Sequence, residues 1–328
     1  MATLTRPPED DAAPAEIEGS AVRRGDRVFR GLALYAGIGV LVVMGAIAVF
    51  LVWRSIPSLT SNSVNFFTYQ EWFPDDNPPT FGIAALAFGT FMTAIIAMII
   101  AVPIGIGAAL FIAYYAPRRL AATMAFIMDV LAAVPSIIFG LWGLQFLMPN
   151  MFGLTEWMND YLGFIPIFEN TQGIYTKSIF IASVVLAIMI LPTMSAITRE
   201  VFTQVPQAHR EAALALGATR WEMIRVAVFP FSRPGMISGA MLALGRALGE
   251  TIAVALILSA LFTINWHITE PGGNTFAANI ALKWNESGPN GLSALVASGL
   301  VLFVITMVVN MTARWIIARR AEFSGANS

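Results

Sequence analysis

The sequence contains no cysteine and only two histidines, His209 and His267. Without cysteine the chain has no disulfide, no thiolate metal site and no thiol nucleophile. Each histidine stands without another histidine or cysteine nearby in the sequence, so we expect no metal site. The motifs HExxH and GxSxG are also absent, which leaves little support for a hydrolytic centre.

Charged residues are scarce as well, at 12% of the 328 residues, whereas 57% are hydrophobic and the mean hydropathy is +0.71. A soluble domain carries roughly 25% charged residues. So much apolar surface does not fit into a soluble core, and lipid is the expected solvent. The composition therefore predicts an all-α integral membrane protein in a lipid bilayer, with no nucleic acid as a partner.

Apolar runs long enough to cross a bilayer occur six times, since a membrane helix needs about 20 residues. The six predicted spans are residues 29–53, 82–115, 120–148, 177–198, 234–262 and 292–317. The second and third are longer than needed and are interrupted by Pro103 and Pro135. Residues 1–28, acidic and then rich in arginine, and residues 318–328 are expected to be cytoplasmic tails.

The distribution of lysine and arginine predicts the orientation of these spans. Fifteen of the 19 basic residues fall in segments that would be cytoplasmic, three fall in the outer loops, and Arg246 remains inside a span. Cytoplasmic loops carry the excess of basic residues in membrane proteins. We therefore expect both termini in the cytoplasm and outer loops at about 54–81, 149–176 and 263–291.

The cytoplasmic segment between the fourth and fifth spans has the pattern of two short helices. Helix-forming residues run to Leu216, Gly217 interrupts them, and Thr219 with Glu222 has the form of a capping box that starts a second helix. Pro230 and Pro234 are expected to end this second helix. From the residues alone two alternatives stay open, an amphipathic helix resting on lipid headgroups or a surface that docks into a partner.

This segment resembles the EAA signature of ABC-importer permeases. The matching residues are Glu211, Ala212, Ala213, Gly217 and Pro230, whereas Ala227 and Phe229 replace the usual Ile and Leu. The resemblance implies that residues 206–230 couple the permease to an ATPase subunit. The chain has no Gly-Lys dipeptide and hence no Walker A loop, so ATP and Mg²⁺ would be bound by that separate partner and this chain would not be an enzyme.

The fifth predicted span carries the stretch GRALGET, residues 245–251, inside an apolar run. Counted from Pro234 at 1.5 Å per residue, Arg246 lies about 18 Å into the membrane. A lone charge there costs at least ~2.5–3.5 kcal/mol, so it needs a partner or a polar cavity. Glu250 follows four residues later on the same helical face and is predicted to pair with Arg246.

Small residues share this face with Arg246, among them Gly235, Gly239 and Ala243. The face is therefore expected to lie closely against another helix or beside a water-filled path. In one alternative the charged pair is a structural clamp between helices. In the other, Arg246 binds an anion on a translocation path that includes Glu250 and Thr251, and Glu250 offsets its charge when the path is empty.

The stretches LGRALGETIAV and DVLAAVPSIIFGLWG (129–143) resemble phosphate-importer permeases of the PstC type, and the similarity extends from about Phe81 to Arg314. The resemblance implies a MetI-like ABC-importer permease fold with six transmembrane helices in the plasma (inner) membrane of a prokaryote. It also implies three kinds of partner. These are a second, homologous permease of the PstA type, a homodimer of ATP-binding cassette subunits, and an external phosphate-binding protein.

Asp129, inside the third predicted span, is an intramembrane acid and therefore a functional candidate. Capping of a helix, or a hydrogen bond between helices, is the alternative that we favour. Three rival functions stay open: a permease for sulfate, molybdate or phosphonate, an ion-coupled transporter with Glu250 or Asp129 as proton carrier, and a membrane scaffold. The EAA segment and the lack of inverted repeats argue against the proton-coupled alternative.

Overall fold

The computed structural model describes the backbone of residues 24–321 and the side chains of residues 28–315. The helices are α1 (Arg24–Ser61), α2 (Ala84–Leu110), α3 (Arg118–Ala133), α4 (Ser136–Trp142), α5 (Met148–Asn150), α6 (Phe152–Leu162), α7 (Ile179–Thr203), α8 (Gln207–Ala215), α9 (Arg220–Met223), α10 (Phe229–Leu248), α11 (Ile252–Ile257), α12 (Phe276–Lys283) and α13 (Pro289–Ala321). Turns of π-helix at Phe111–Tyr115, Gly143–Leu147 and Ile224–Val228 extend α2, α4 and α9, and strands β1 (Trp72–Phe73) and β2 (Thr80–Phe81) pair antiparallel.

The chain forms two compact units, Met1–Phe50 and Leu51–Ser328. The described part of the first unit is the apolar first part of α1, whose side chains are mostly exposed. The second unit contains every other helix. The predicted tails at 1–28 and 318–328 fall largely outside the described residues, and the cytoplasmic position of both termini stays a prediction.

Four helices in the described part of the chain are long and apolar enough to cross a membrane. They cover Val28–Ser61, Ala84–Tyr115, Ile179–Thr203 and Pro289–Trp315. These four coincide with the first, second, fourth and sixth spans that the sequence predicts. A fifth is reached only if α3 and the stretch Ser136–Asn150 count as one span, and the number six stays a prediction.

The other two predicted spans are not continuous helices. The third bends by 95° after Ala133, because Val134 precedes Pro135 and takes an extended conformation. The fifth, predicted as one helix over 234–262, starts earlier at Phe229, breaks after Leu248, and ends at Ile257. The predicted interruption at Pro135 is confirmed, whereas the one predicted at Pro103 is wrong, because Pro103 lies inside the continuous α2. The break after Leu248 places non-helical backbone where the sequence predicts none.

Helix α7 lies at the centre of the second unit and packs against α2, α3 and α10. Its side chains are mostly buried, whereas α3 has no buried residue. The face of α2 toward this core consists of small residues such as Ala94, Ala97 and Ala101. At Gly105 an added Cβ would lie 2.8 Å from the Met194 side chain. Small side chains thus let α2 approach α7 closely, as is common for membrane helices.

The loops before α2 and α7 both contact the loop before α12, and the loop before α2 also contacts the start of α13. We call this side of the unit the loop end. A carboxylate anchors α13 there: Asp75 accepts hydrogen bonds from the backbone N–H groups of Gly288 at 2.9 Å and Gly291 at 2.8 Å. Both amides belong to the start of the helix, where they have no partner within it. Asp75 therefore caps α13 from a distant part of the chain.

We expect Asp75→Ala to lower the free energy of unfolding by about 1 kcal/mol, because two amides lose their acceptor and the helix dipole loses a nearby negative charge. The unfolding midpoint in detergent micelles measures the effect. Asp76→Ala is the matched control, since Asp76 is exposed and makes no hydrogen bond among the described residues. Equal midpoints for the two variants would contradict the cap.

A second carboxylate at the loop end joins two loops. Glu270 is 3% exposed and accepts hydrogen bonds from the Thr171 amide and hydroxyl at 2.7 Å each, Gln172 Nε2 at 3.0 Å and Asn265 Nδ2 at 2.6 Å. Burial by itself would raise the pKa of Glu270, but these hydrogen bonds outweigh it and hold the pKa below its ordinary value. The ionised carboxylate therefore stabilises the contact between the loop before α7 and the loop before α12.

Because the folded-state pKa of Glu270 is lowered, its stabilisation is complete above the unfolded pKa and is lost as the pH falls through the folded pKa. We expect Glu270→Gln to lower the free energy of unfolding at neutral pH by roughly 1–3 kcal/mol and to flatten the loss of stability below about pH 4. Unfolding midpoints between pH 7 and pH 3 measure both effects. Glu169→Gln, at an exposed position in the loop before α7 that Glu270 contacts, should match the unsubstituted protein; the prediction fails if the two variants titrate alike.

Candidate functional site

The small-residue face of α10 lies directly against α7. A Cβ added at Gly235 would overlap the Val201 side chain, and one added at Gly239 would lie 3.1 Å from Ile197. Ala243, one turn further on, is fully buried. The prediction that this face meets another helix closely is confirmed, and the other helix is α7.

Arg246 continues this face toward the end of α10. Its Nη1 donates a hydrogen bond to the Thr193 hydroxyl of α7 at 3.1 Å, and the side chain is half-buried. Beside it is an open cleft of about 430 Å³. Three helices supply the residues that line the cleft, namely Thr193, Met241, Leu242, Gly245, Arg246 and Asn310.

The predicted ion pair between Arg246 and Glu250 is not formed. Positions four apart share a face only on a continuous helix, and α10 ends at Leu248. Glu250 lies beyond that end, is 9% exposed, and accepts a hydrogen bond at 3.2 Å from the Ala253 N–H in the first turn of α11. The Thr251 hydroxyl donates to the Gly249 carbonyl at 3.1 Å. Both side chains therefore shape the break between α10 and α11, and neither lines the cleft.

Arg246 consequently has no carboxylate within ion-pair distance among the residues described; the two ion pairs there are Arg199–Asp129 and Lys283–Glu286. One of the guanidinium N–H donors is hydrogen-bonded to the Thr193 hydroxyl. A guanidinium presents five N–H donors in a rigid fork and stays charged at any physiological pH. The cleft therefore offers a cation with free donors, which is suited to a tetrahedral oxyanion.

Two polar residues of this cleft, Thr193 and Asn310, were not found by sequence reasoning. A signal was present for Asn310, the only amide side chain in the predicted span 292–317, because polar residues within membrane helices are rare and usually functional. Thr193 gave no such signal, since threonine is common in membrane helices and bonds to its own backbone.

Asp129 lies elsewhere, on α3. Its Oδ1 is 3.5 Å from Arg199 Nη2 on α7, with exposed side-chain fractions of 56% and 22%. The contact joins two helices, which is the alternative favoured from the sequence. Asp129 is not among the residues that line the Arg246 cleft.

Helix α7 begins at the loop end and finishes at Thr203, so residues 206–230 lie at the opposite end of the unit; we call them the coupling segment after their predicted role. Helices α8 and α9 meet at Gly217, whose φ of +83° is one that a residue with a side chain rarely adopts. The capping box is confirmed: Glu222 Oε2 accepts from the Thr219 N–H at 2.8 Å, and the Thr219 hydroxyl accepts from the Glu222 N–H at 3.3 Å. The Thr219 N–H and the Thr219 hydroxyl both donate to the Glu222 carboxylate, and these two bonds hold the pKa of Glu222 below its ordinary value.

The expectation that Pro230 and Pro234 end the second short helix is wrong. The π-helical turn Ile224–Val228 joins α9 directly to α10, Pro230 lies in the first turn of α10, and Pro234 lies inside it. Proline is tolerated in a first turn because its missing N–H has no partner there in any case. The coupling segment therefore runs without a loop into the helix that carries Arg246.

Apolar side chains of the coupling segment point away from the unit. Leu216 is 90% exposed, Trp221 54% and Leu214 46%. Of the EAA residues, Glu211 and Ala212 are exposed, whereas Ala213 packs against the buried cluster at the ends of α2 and α7. The segment is thus anchored on one side and presents leucine and tryptophan on the other.

Comparison with known proteins places the chain among transport proteins. A family model described as "Binding-protein-dependent transport system inner membrane component" matches residues 101–322. The phosphate transport system permease protein PstC 2 of Mycobacterium tuberculosis is 43% identical over 316 residues, which cover 95% of this chain and 96% of that protein. The phosphate transport system permease protein PstC of Xylella fastidiosa is 38% identical over 331 residues, which cover 98% and 99%.

A structural comparison shows the same fold in a chain of the MetNI methionine ABC transporter in an inward-facing conformation. The TM-score is 0.50 at 17% identity, and the match covers 72% of this chain and 92% of that chain.

Proposed function

The chain belongs to the family of binding-protein-dependent transport system inner membrane components, and from that premise we propose that it is the permease subunit of an ATP-driven importer of inorganic phosphate. It is a transport subunit and not an enzyme. The observation that carries the proposal is the Arg246 guanidinium, which faces an open cleft among apolar helices and lacks a carboxylate partner among the described residues.

Arg246 is the proposed anion-binding residue of the translocation path. A charge at membrane depth is costly unless it faces water or a counter-ion, and a passing oxyanion supplies that counter-charge. Thr193 orients the guanidinium through one hydrogen bond and leaves the other donors for the anion. A site on a transport path must also release its ion, and an open cleft favours release.

In this proposal Glu250 and Thr251 shape the helix break and do not act as counter-ions of Arg246. By capping α11 and closing the turn at Gly249, they hold the break that ends α10 two residues after Arg246. Non-helical backbone at membrane depth is tolerated where it is buried in protein or lines a cavity. The break therefore keeps Glu250 away from Arg246 and preserves the positive charge of the cleft.

Residues 206–230 are the proposed seat for an ATPase subunit. Exposed leucine and tryptophan on short helices suit docking into a groove. Since α9, the π-helical turn and α10 are continuous, movement of this docking segment would be transmitted directly to Arg246.

The complete importer has three kinds of partner in this proposal. A pair of identical ATPase subunits binds ATP and Mg²⁺, a PstA-type permease lies beside this chain, and an external phosphate-binding protein docks at the loop end. Both termini are then cytoplasmic, in the plasma membrane of a prokaryote.

We expect Arg246→Gln to lower ATP-dependent uptake of labelled phosphate at least about tenfold, because the anion loses its only fixed positive charge in the cleft. Uptake is measured in cells that carry the complete importer, with assembly checked by co-purification. Arg54→Gln, which removes a charge at the loop end, is the control and should transport normally. Normal uptake by an assembled Arg246→Gln importer would refute the proposed path.

We expect Leu216→Asp to lower co-purification of the ATPase subunit at least about tenfold, because a carboxylate buried without a partner in a groove costs several kcal/mol. Phe164→Asp is the matched control, since Phe164 is 80% exposed at the loop end, and it should retain the ATPase. If Leu216→Asp binds the ATPase as tightly as the control, residues 206–230 are not its seat.

A further inference from the structure

Asn310 of α13 lines the same cleft as Arg246 and has no assigned role. Its side chain is exposed, and it makes no hydrogen bond with any residue that the structure describes. The residues around it in sequence, FVITMVVNM, are otherwise apolar apart from Thr306, whose hydroxyl bonds to its own helix. An unpaired amide therefore faces the cleft from an apolar helix.

Both polar residues lie far from the starts of their helices. At 1.5 Å per residue, Arg246 is about 25 Å from the start of α10, and Asn310 is about 31 Å from the start of α13. The two helices begin at opposite ends of the unit. Asn310 lies five residues before the end of the apolar stretch Pro289–Trp315, and both side chains are still within the apolar part of their helices. An amide left without a hydrogen-bond partner in hydrocarbon costs several kcal/mol, so Asn310 requires water or a polar ligand there.

We propose that Asn310 is a second arm of an oxyanion site, so that the anion is held between Arg246 on α10 and Asn310 on α13. This inference rests on the proposed function, because it assigns a further ligand to the same path.

The chemistry of the three polar side chains matches a tetrahedral oxyanion. Arg246 supplies charge and N–H donors, and the Thr193 hydroxyl accepts from Arg246 and keeps its own hydrogen free to donate. The Asn310 carboxamide donates through its NH₂ group and accepts through its carbonyl oxygen. It can therefore bond both to a deprotonated oxygen and to the O–H of a protonated phosphate, which Arg246 cannot do.

The arrangement also makes the site sensitive to helix movement. Its arms come from α7, α10 and α13, so the distance between Arg246 and Asn310 depends on how α13 lies beside α10. A relative shift of these helices would separate the arms and release the anion, which is the behaviour that a transport site requires.

The absence of cysteine from the chain makes a direct test possible, because Asn310→Cys introduces its only thiol. The assembled importer in permeabilised membrane vesicles is treated with a small, charged, water-soluble thiol reagent, and the mass of this chain reports the rate of labelling. Labelling is repeated with inorganic phosphate and with chloride at equal ionic strength. Met311→Cys is the matched control, since Met311 is 61% exposed and does not line the cleft.

We expect the thiol at 310 to be labelled at least about tenfold faster than that at 311, because only the cleft admits water. Phosphate should slow labelling at 310 at least about threefold, and this protection should disappear when Arg246→Gln is added. Labelling at 310 as slow as at 311, labelling that phosphate does not slow, or protection that survives Arg246→Gln would each overturn the proposal.

Transport by variants of Asn310 separates hydrogen bonding from the filling of space. Asn310→Leu should lower phosphate uptake about tenfold, whereas Asn310→Gln, which keeps both polar atoms, should restore most of it. Thr306→Val is the control on the same helix. If Asn310→Leu transports normally while Arg246→Gln is inactive, the role of Asn310 is overturned and the proposed function stands. If both variants transport normally, the proposed function itself fails.

Discussion

The close approach of α10 to α7 is the contact on which the rest of the site depends. Gly235, Gly239 and Ala243 bring the two helices together, and only at that separation does the Arg246 side chain reach the Thr193 hydroxyl. Larger side chains on this face would push α10 outward and leave the guanidinium without its orienting partner. Packing of small residues is the main means of association available to membrane helices, since lipid offers no hydrophobic driving force between them.

A second constraint is the end of α10 at Leu248. Had the helix continued, Glu250 would lie one turn beyond Arg246 and would neutralise it. The break instead uses Glu250 to satisfy an amide of α11, so Arg246 is left without a carboxylate partner among the described residues. The same helix is joined at its other end to the coupling segment through a π-helical turn, which avoids a flexible loop between α9 and α10. One continuous element thus connects the exposed Trp221 with Arg246.

Local patterns in the sequence were sufficient wherever short-range interactions decide the structure. The apolar runs predicted the helices Ala84–Tyr115, Ile179–Thr203 and Pro289–Trp315, because the bilayer requires about 20 apolar residues in one helix. The turn at Gly217 and the capping box of Thr219 with Glu222 were also predicted, since their hydrogen bonds join residues three apart. The continuous fifth span was wrong because apolar composition does not distinguish one helix from two that meet at a buried break.

The sequence by itself determined that the chain is a helical membrane protein, that two short helices meet at Gly217, and that Arg246 lies within the apolar region. Only the tertiary structure decided which groups surround that arginine. Thr193 and Asn310 are 53 residues before Arg246 and 64 residues after it, so nothing in local periodicity brings them together. Their meeting depends on how α7, α10 and α13 pack, and packing across such separations is set by side-chain shape at every contact along the helices.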